Sequence, residues 1–127
     1  MQFDLVSPER RLASFEATSV LIPSAEGDMT VMADHAPVIS TLRPGILKVE
    51  GAETADYVVT GGFAEINAAG VTVLAEMAVP AGEAKAEMFD GLLETARASA
   101  DKADGAAKDM ADKHVADLEA LKAASGF

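Results

Sequence analysis

Cysteine and tryptophan are absent from the 127 residues, tyrosine occurs once and histidine twice. Without cysteine the chain has no disulfide, no thiolate metal site and no thiol nucleophile. No Gly-x-Ser-x-Gly, His-Glu-x-x-His, Walker or Gly-x-Gly-x-x-Gly pattern occurs, so the means for nucleophilic, zinc-dependent or nucleotide-dependent catalysis are thin. No nucleophile and base pair can be assembled from these residues, and an enzyme in its own right is not expected. Long apolar runs are missing as well. Nothing approaches the ~18 uninterrupted apolar residues of a spanning helix, and Met1-Gln2-Phe3-Asp4-Leu5 has no basic region leading into an apolar stretch. Membrane association is therefore expected through a partner. Positive charge is scarce too: 10 Lys and Arg stand against 21 Asp and Glu, for a formal net charge of −11. Nucleic acid and anionic lipid both need cations to displace their counterions, so neither is an expected partner. Basic surfaces of a larger assembly are.

Half of the residues are apolar and 24% are charged, a balance that supports a folded globular chain. Over the first 80 or so residues the apolar positions come in short, alternating runs. Phe3 and Leu5, Val20 and Ile22, Ile46, Leu47 and Val49, Val58 and Val59, and Val71 and Val73 each read as a strand. Between them Pro23-Ser24-Ala25-Glu26-Gly27, Arg43-Pro44-Gly45, Thr60-Gly61-Gly62 and Asn67-Ala68-Ala69-Gly70 carry turn chemistry. Many short strands at this spacing predict a sandwich or barrel.

Proline stops at Pro80, and Ala, Glu, Asp, Lys, Leu and Met take over, which are mostly good helix formers. The pattern predicts a helix from about Glu83 to Ala103, with Phe89, Leu92, Leu93, Ala96 and Ala100 on one stripe. A second helix is predicted from about Ala106 to Ala124, with Met110, His114, Leu118 and Leu121 at helical spacing and Val115 alongside. A break at Asp104-Gly105 makes the pair a hairpin. Its facing positions are rich in alanine, so each turn buries little area and the hairpin is expected to be marginal and displaceable.

Few residues offer chemistry. His35, in Asp34-His35-Ala36-Pro37, admits a metal ligand, a base or a loop residue, and the loop reading fits its isolation best. His114 has Asp112 and Asp117 near it, an ordinary surface pattern on a helix. Gly61-Gly62 between two strand-like runs marks a bend rather than a phosphate nest. The acidic residues from Asp101 to Glu119 lack the ligand spacing of an EF-hand and read as a solvated helix face.

An ordered series of segments resembles one family. Ala25-Glu26-Gly27-Asp28, Met29 to Asp34, His35-Ala36-Pro37 and Leu42-Arg43-Pro44-Gly45 come in succession. They are followed by Thr60-Gly61-Gly62-Phe63-Ala64-Glu65 and Val71-Thr72-Val73-Leu74-Ala75-Glu76. The series is similar to that of the epsilon subunit of F-type ATP synthases, the bacterial counterpart of the mitochondrial delta subunit. The resemblance implies a flattened β-sandwich of about ten strands over residues 1–80, then an antiparallel two-helix hairpin over 81–127. It implies a non-catalytic rotor subunit whose β domain clamps the gamma subunit and rests on the ring of c subunits. This couples proton flow to the catalytic head at the cytoplasmic face of the bacterial inner membrane. Asp28, Met29, His35 and Pro37 fall at the positions of the family's partner-facing loop. Thr30, Ala33 and Asp34 stand where that loop usually has Gly, Pro and Gly.

In some family members the hairpin extends along gamma towards the alpha and beta chains and blocks rotation, while a regulatory ATP favours its folded form. Leu93-Glu94-Thr95-Ala96-Arg97-Ala98 resembles the family's ATP pattern, which points to Glu94 and Arg97, with Glu in place of the usual Asp. Arg97 is the only arginine after Arg43, and from Asp109 onwards Lys113 and Lys122 face Asp109, Asp112, Asp117 and Glu119. That sign is wrong for a latch on acidic partner helices, so weak inhibition is expected. Two other readings fit the same composition: a free acidic β-sandwich that binds a basic protein, and an ATP-sensing regulator outside any rotary complex.

Overall fold

In the computed structural model, which describes residues 1–33 and 36–127, two compact units succeed one another: Met1–Ala81 and Gly82–Phe127. Among the described residues the first contains nine strands: β1 (Gln2–Val6), β2 (Arg11–Ser24), β3 (Gly27–Met32), β4 (Val38–Thr41), β5 (Gly45–Gly51), β6 (Ala55–Val59), β7 (Gly62–Asn67), β8 (Gly70–Ala75) and β9 (Ala78–Pro80). Alternation sets the faces. Phe3 and Leu5 of β1, Ala64 and Ile66 of β7, and Val71 and Val73 of β8 point inward, and all are essentially inaccessible. They meet Val20, Ile22, Val31, Leu47, Val49 and Val59 from the other layer in one apolar core.

The layers share one strand. The first part of β2 pairs antiparallel with β1, from Arg11 opposite Val6 to Glu16 opposite Gln2. Its second part pairs with β3, from Ser19 opposite Met32 to Ser24 opposite Gly27, and on its other side with β5. An irregularity between Ala17 and Ser19 accompanies the change of layer, as corner-turning strands of a sandwich require. One layer is thus β4-β7-β8-β1 with the start of β2, the other β9-β6-β5 with the end of β2 and then β3. The expected count of about ten is met by nine continuous strands, one of which serves twice. The β1–β8 pair is parallel, and the other strand pairs are antiparallel among the described residues.

Two local expectations need correction. The turn predicted over residues 23–27 narrows to Ala25 and Glu26, because Pro23 and Ser24 continue β2 and Gly27 opens β3. The strands at 27–32, 38–41, 62–67 and 78–80 lie outside the apolar runs: β4 and β9 are short, and β7 carries Ala64 on its inner face and Glu65 on its outer one. Gly62 confirms the bend reading: its φ is +110°, and a Cβ there would lie 2.0 Å from the Leu74 carbonyl oxygen.

In the second unit a 3₁₀ turn at Ala81–Glu83 precedes α1 (Ala86–Lys102), so the helix begins three residues later than predicted. After Ala103 and Asp104, α2 runs over Gly105–Ala124. Phe89, Leu93, Ala96 and Ala100 of α1 are buried as expected. On α2 Leu118 and Leu121 are buried as expected, but the first half of the stripe shifts. Met110 and His114 are exposed, and Ala111 and Val115 take the inner positions with Leu118 and Leu121. In an alanine-rich helix any small residue fits against a neighbour, so one large apolar residue does not fix which side turns inward. At the end Gly126, with φ +90°, closes a Schellman-type cap in which Phe127 N–H donates to Lys122 carbonyl at 3.2 Å.

Candidate functional site

The β2–β3 turn and the β4–β5 connection are tied into one corner. Ser24 is its hub. The Ser40 hydroxyl donates to Ser24 Oγ at 2.8 Å, and Ala25 N–H donates to the Thr41 carbonyl at 2.8 Å. Arg43 spans the two segments: its main-chain N–H donates to the Pro23 carbonyl at 3.0 Å, and its guanidinium donates to the Ser24 carbonyl and the Asp28 carboxylate. Only 27% of the Arg43 side chain is accessible, so the pair is partly shielded from solvent screening. Asp28 is thus an exposed acid already carrying a counter-charge.

Of the loop residues singled out by sequence, Asp28 is exposed on β3, Met29 turns to its other side and packs half-buried against the core, and Pro37 is exposed just before β4. His35 lies outside the described residues. Arg43 had been noted only as part of a Pro-Gly segment, and its bridging role was missed because its partners are 15 and 19 residues away in sequence. Beside this corner Met32 and Ile39 are strongly exposed.

A second feature lies on the outer face of the layer that contains β1. Strand register sets Thr41 opposite Phe63, Phe63 opposite Leu74, and Leu74 opposite Val6. Because side chains alternate, these residues share the face opposite to Ala64, Val73 and Leu5. They form an apolar row across β7, β8 and β1, with Phe63 43% and Leu74 36% accessible. Pro8 and Glu76 join Phe63, Leu74 and Val6 around a cleft of about 400 Å³. The adjacent row on the same face sets Glu65 opposite Thr72 and Thr72 opposite Asp4, so the apolar strip has an acidic flank.

In the helical unit Glu94 and Arg97 are both exposed on α1, and Arg97 Nη2 donates to Glu119 Oε1 on α2 at 3.2 Å. The lysines of the acidic segment are also engaged: Lys113 with Asp117 at 2.7 Å and Lys122 with Asp90 at 2.7 Å. Among the described residues no group of three or more His, Cys, Asp or Glu side chains is placed to hold a metal ion, and no helix is long and apolar enough to cross a membrane.

Comparison with known proteins adds the family. Residues 1–81 match the model of the ATP synthase delta/epsilon chain β-sandwich domain. The chain is 62% identical over 128 residues to the ATP synthase epsilon chain of Fuscovulum blasticum, covering 100% of this chain and 97% of that one. A chain in a cryo-EM structure of Euglena gracilis mitochondrial ATP synthase, containing OSCP, F1 and the c-ring, aligns at TM-score 0.72 and 32% identity, covering 96% of this chain and 79% of that one. A chain of the central stalk and c-ring structure of Tetrahymena thermophila mitochondrial ATP synthase shares the fold at TM-score 0.74 and 18% identity, covering 100% and 96%. With its β-sandwich matched in full and its sequence largely shared with a bacterial relative from end to end, the chain belongs to the ATP synthase epsilon chain family.

Proposed function

We propose that this chain is a non-catalytic rotor subunit of a proton-translocating ATP synthase, docked on the gamma subunit through the outer face of the β1-containing layer. The observation that carries this reading is the row Phe63, Leu74 and Val6, apolar and open to solvent on an otherwise acidic unit. Contiguous exposed apolar surface with a polar rim marks a protein interface, and aromatic residues supply much of the energy in such interfaces. The acidic flank from Glu65 and Asp4 suits a partner segment with apolar residues bordered by lysine or arginine. The corner that bears Asp28, Met29 and Pro37 faces the c ring in this arrangement. The chain sits at the cytoplasmic face of the inner membrane as a peripheral part of the complex.

A ladder-bonded sandwich suits such work, since it transmits torque through shape and contact without a reactive side chain. The helical unit acts as a weak brake on rotation when it reaches the alpha and beta chains. Lys108, Lys113 and Lys122 are paired within the hairpin, and its last segment is net acidic, so little positive charge remains there to grip acidic partner helices. No nucleotide is needed for that role, and any ATP would contact Glu94 and Arg97. The test is proton pumping by a complex stripped of this subunit. Adding back the chain restores ATP-driven pumping, and a chain ending at Ala81 restores it nearly as well. Failure of the intact chain to restore coupling would overturn the proposal.

A further inference from the structure

The two helices of the hairpin meet over a thin seam. Leu93, Ala96 and Leu118 form its buried centre, with Leu92 and Val115 half-buried beside them, and Phe89, Ala100 and Leu121 are the other buried residues of the two helices. Residues 105–110, the first turn and a half of α2, are exposed throughout. A seam of this kind takes little apolar area out of water. Cationic side chains cross from one helix to the other at three levels. Near the open end Lys122 Nζ donates to Asp90 Oδ1 at 2.7 Å, in the middle Arg97 Nη2 donates to Glu119 Oε1 at 3.2 Å, and near the bend Lys108 Nζ donates to the Ala100 carbonyl at 3.2 Å. At the open end the rings of Phe89 and Phe127 also meet, with centroids 5.7 Å apart.

We infer that the cross-helix pairs form an ionic latch that keeps the hairpin closed without any bound ligand, Glu119 supplying from within the chain the anion that Arg97 takes. This rests on the reading of the hairpin as the movable arm of a rotor subunit. A single exposed ion pair is weak and screened by salt. Three links spread along a seam that buries nothing over the first turn and a half of α2 nonetheless shift the closed population. Arg97 is the only arginine of this unit, so an external polyphosphate has to displace Glu119 before it can be gripped by a guanidinium fork. Ionic strength, rather than nucleotide level, then sets how readily the arm opens.

The absence of cysteine makes the test direct, since Ala98→Cys and Ala116→Cys, both at exposed positions, give a full chain that carries only the two spin labels wanted. Pulsed EPR distances are read at low salt without nucleotide, alongside far-UV circular dichroism. The latch predicts one short, narrow distance population, which broadens to longer distances at about 1 M NaCl, where the Debye length falls to roughly 3 Å. Glu119→Lys opposes two cations and shifts weight to long distances at low salt. Adding Arg97→Glu swaps the charges and restores the short population. The inference is overturned if Glu119→Lys keeps the short distance with helix content intact, if the charge swap fails to restore it, or if the unaltered hairpin closes only on addition of ATP. These readings come from the isolated chain, so they stand or fall separately from docking to gamma.

Discussion

Arg43 shows how one side chain organises the candidate partner-facing corner. It joins three acceptors, the carbonyls of Pro23 and Ser24 and the carboxylate of Asp28, and so fixes the β2–β3 turn against the connection that follows β4. Arg43→Ala removes both guanidinium links and is predicted to cost about 1–2 kcal/mol, the range for a partly shielded charged hydrogen bond, read as a lower urea midpoint. An unchanged midpoint would show that the turn holds without it. Tyr57 offers a second probe, because it is the lone tyrosine in a chain without tryptophan. Burial in the core raises its pKa above the ordinary 10.0, and the negative charge of Glu53 pushes the same way. With the folded value raised, its contribution to stability is complete below the unfolded value near 10.0 and is lost as pH rises through the folded value. Absorbance titration is predicted to give a midpoint higher in the native chain than in urea, and coincident midpoints would contradict the burial. At this scale the sequence was least informative. Asp28 could be singled out by its place in a motif, but its pairing with Arg43 depends on a strand register that no local pattern encodes.

At the scale of elements, alternating β-branched runs announced β1, β5, β6 and β8, because burial of one face is what selects such runs. β4 was hidden by its length of four residues and Ser40, β7 by Ala64 and Glu65, and Val20 and Ile22 announced only the second part of β2, whose inward face changes layer near Ala17. The helices were legible as helices, yet the inward face of α2 was misjudged by about one residue, since alanines leave the rotation of the helix underdetermined. Two substitutions test how marginal the hairpin is. Gly91 is exposed on α1 with open space around it, so Gly91→Ala is predicted to stabilise the helical unit by about 0.5–1 kcal/mol through backbone entropy alone. Leu118 is 1% accessible, and Leu118→Ala is predicted to remove roughly 2–3 kcal/mol, enough to melt a seam this thin. Ellipticity at 222 nm then falls while the high Tyr57 titration midpoint is kept, and joint loss of both signals would show that the units unfold together.

For the whole molecule, acidity and a thin set of reactive side chains turn the expectation away from nucleic acid, lipid and covalent chemistry. The proposed docking face was not legible in the same way. Phe63, Leu74 and Val6 are far apart in sequence and become one strip only when β7, β8 and β1 lie side by side. The proposed docking on gamma therefore depends on that strip. The most direct measurement is calorimetric binding of the chain to the gamma subunit of its own complex, comparing the full chain, a chain ending at Ala81 and Phe63→Glu in the full chain. The predicted result is equal affinity for the first two and a loss of about 2 kcal/mol, roughly thirtyfold, for Phe63→Glu. Binding of a folded Phe63→Glu chain at full strength would contradict the assignment of this face.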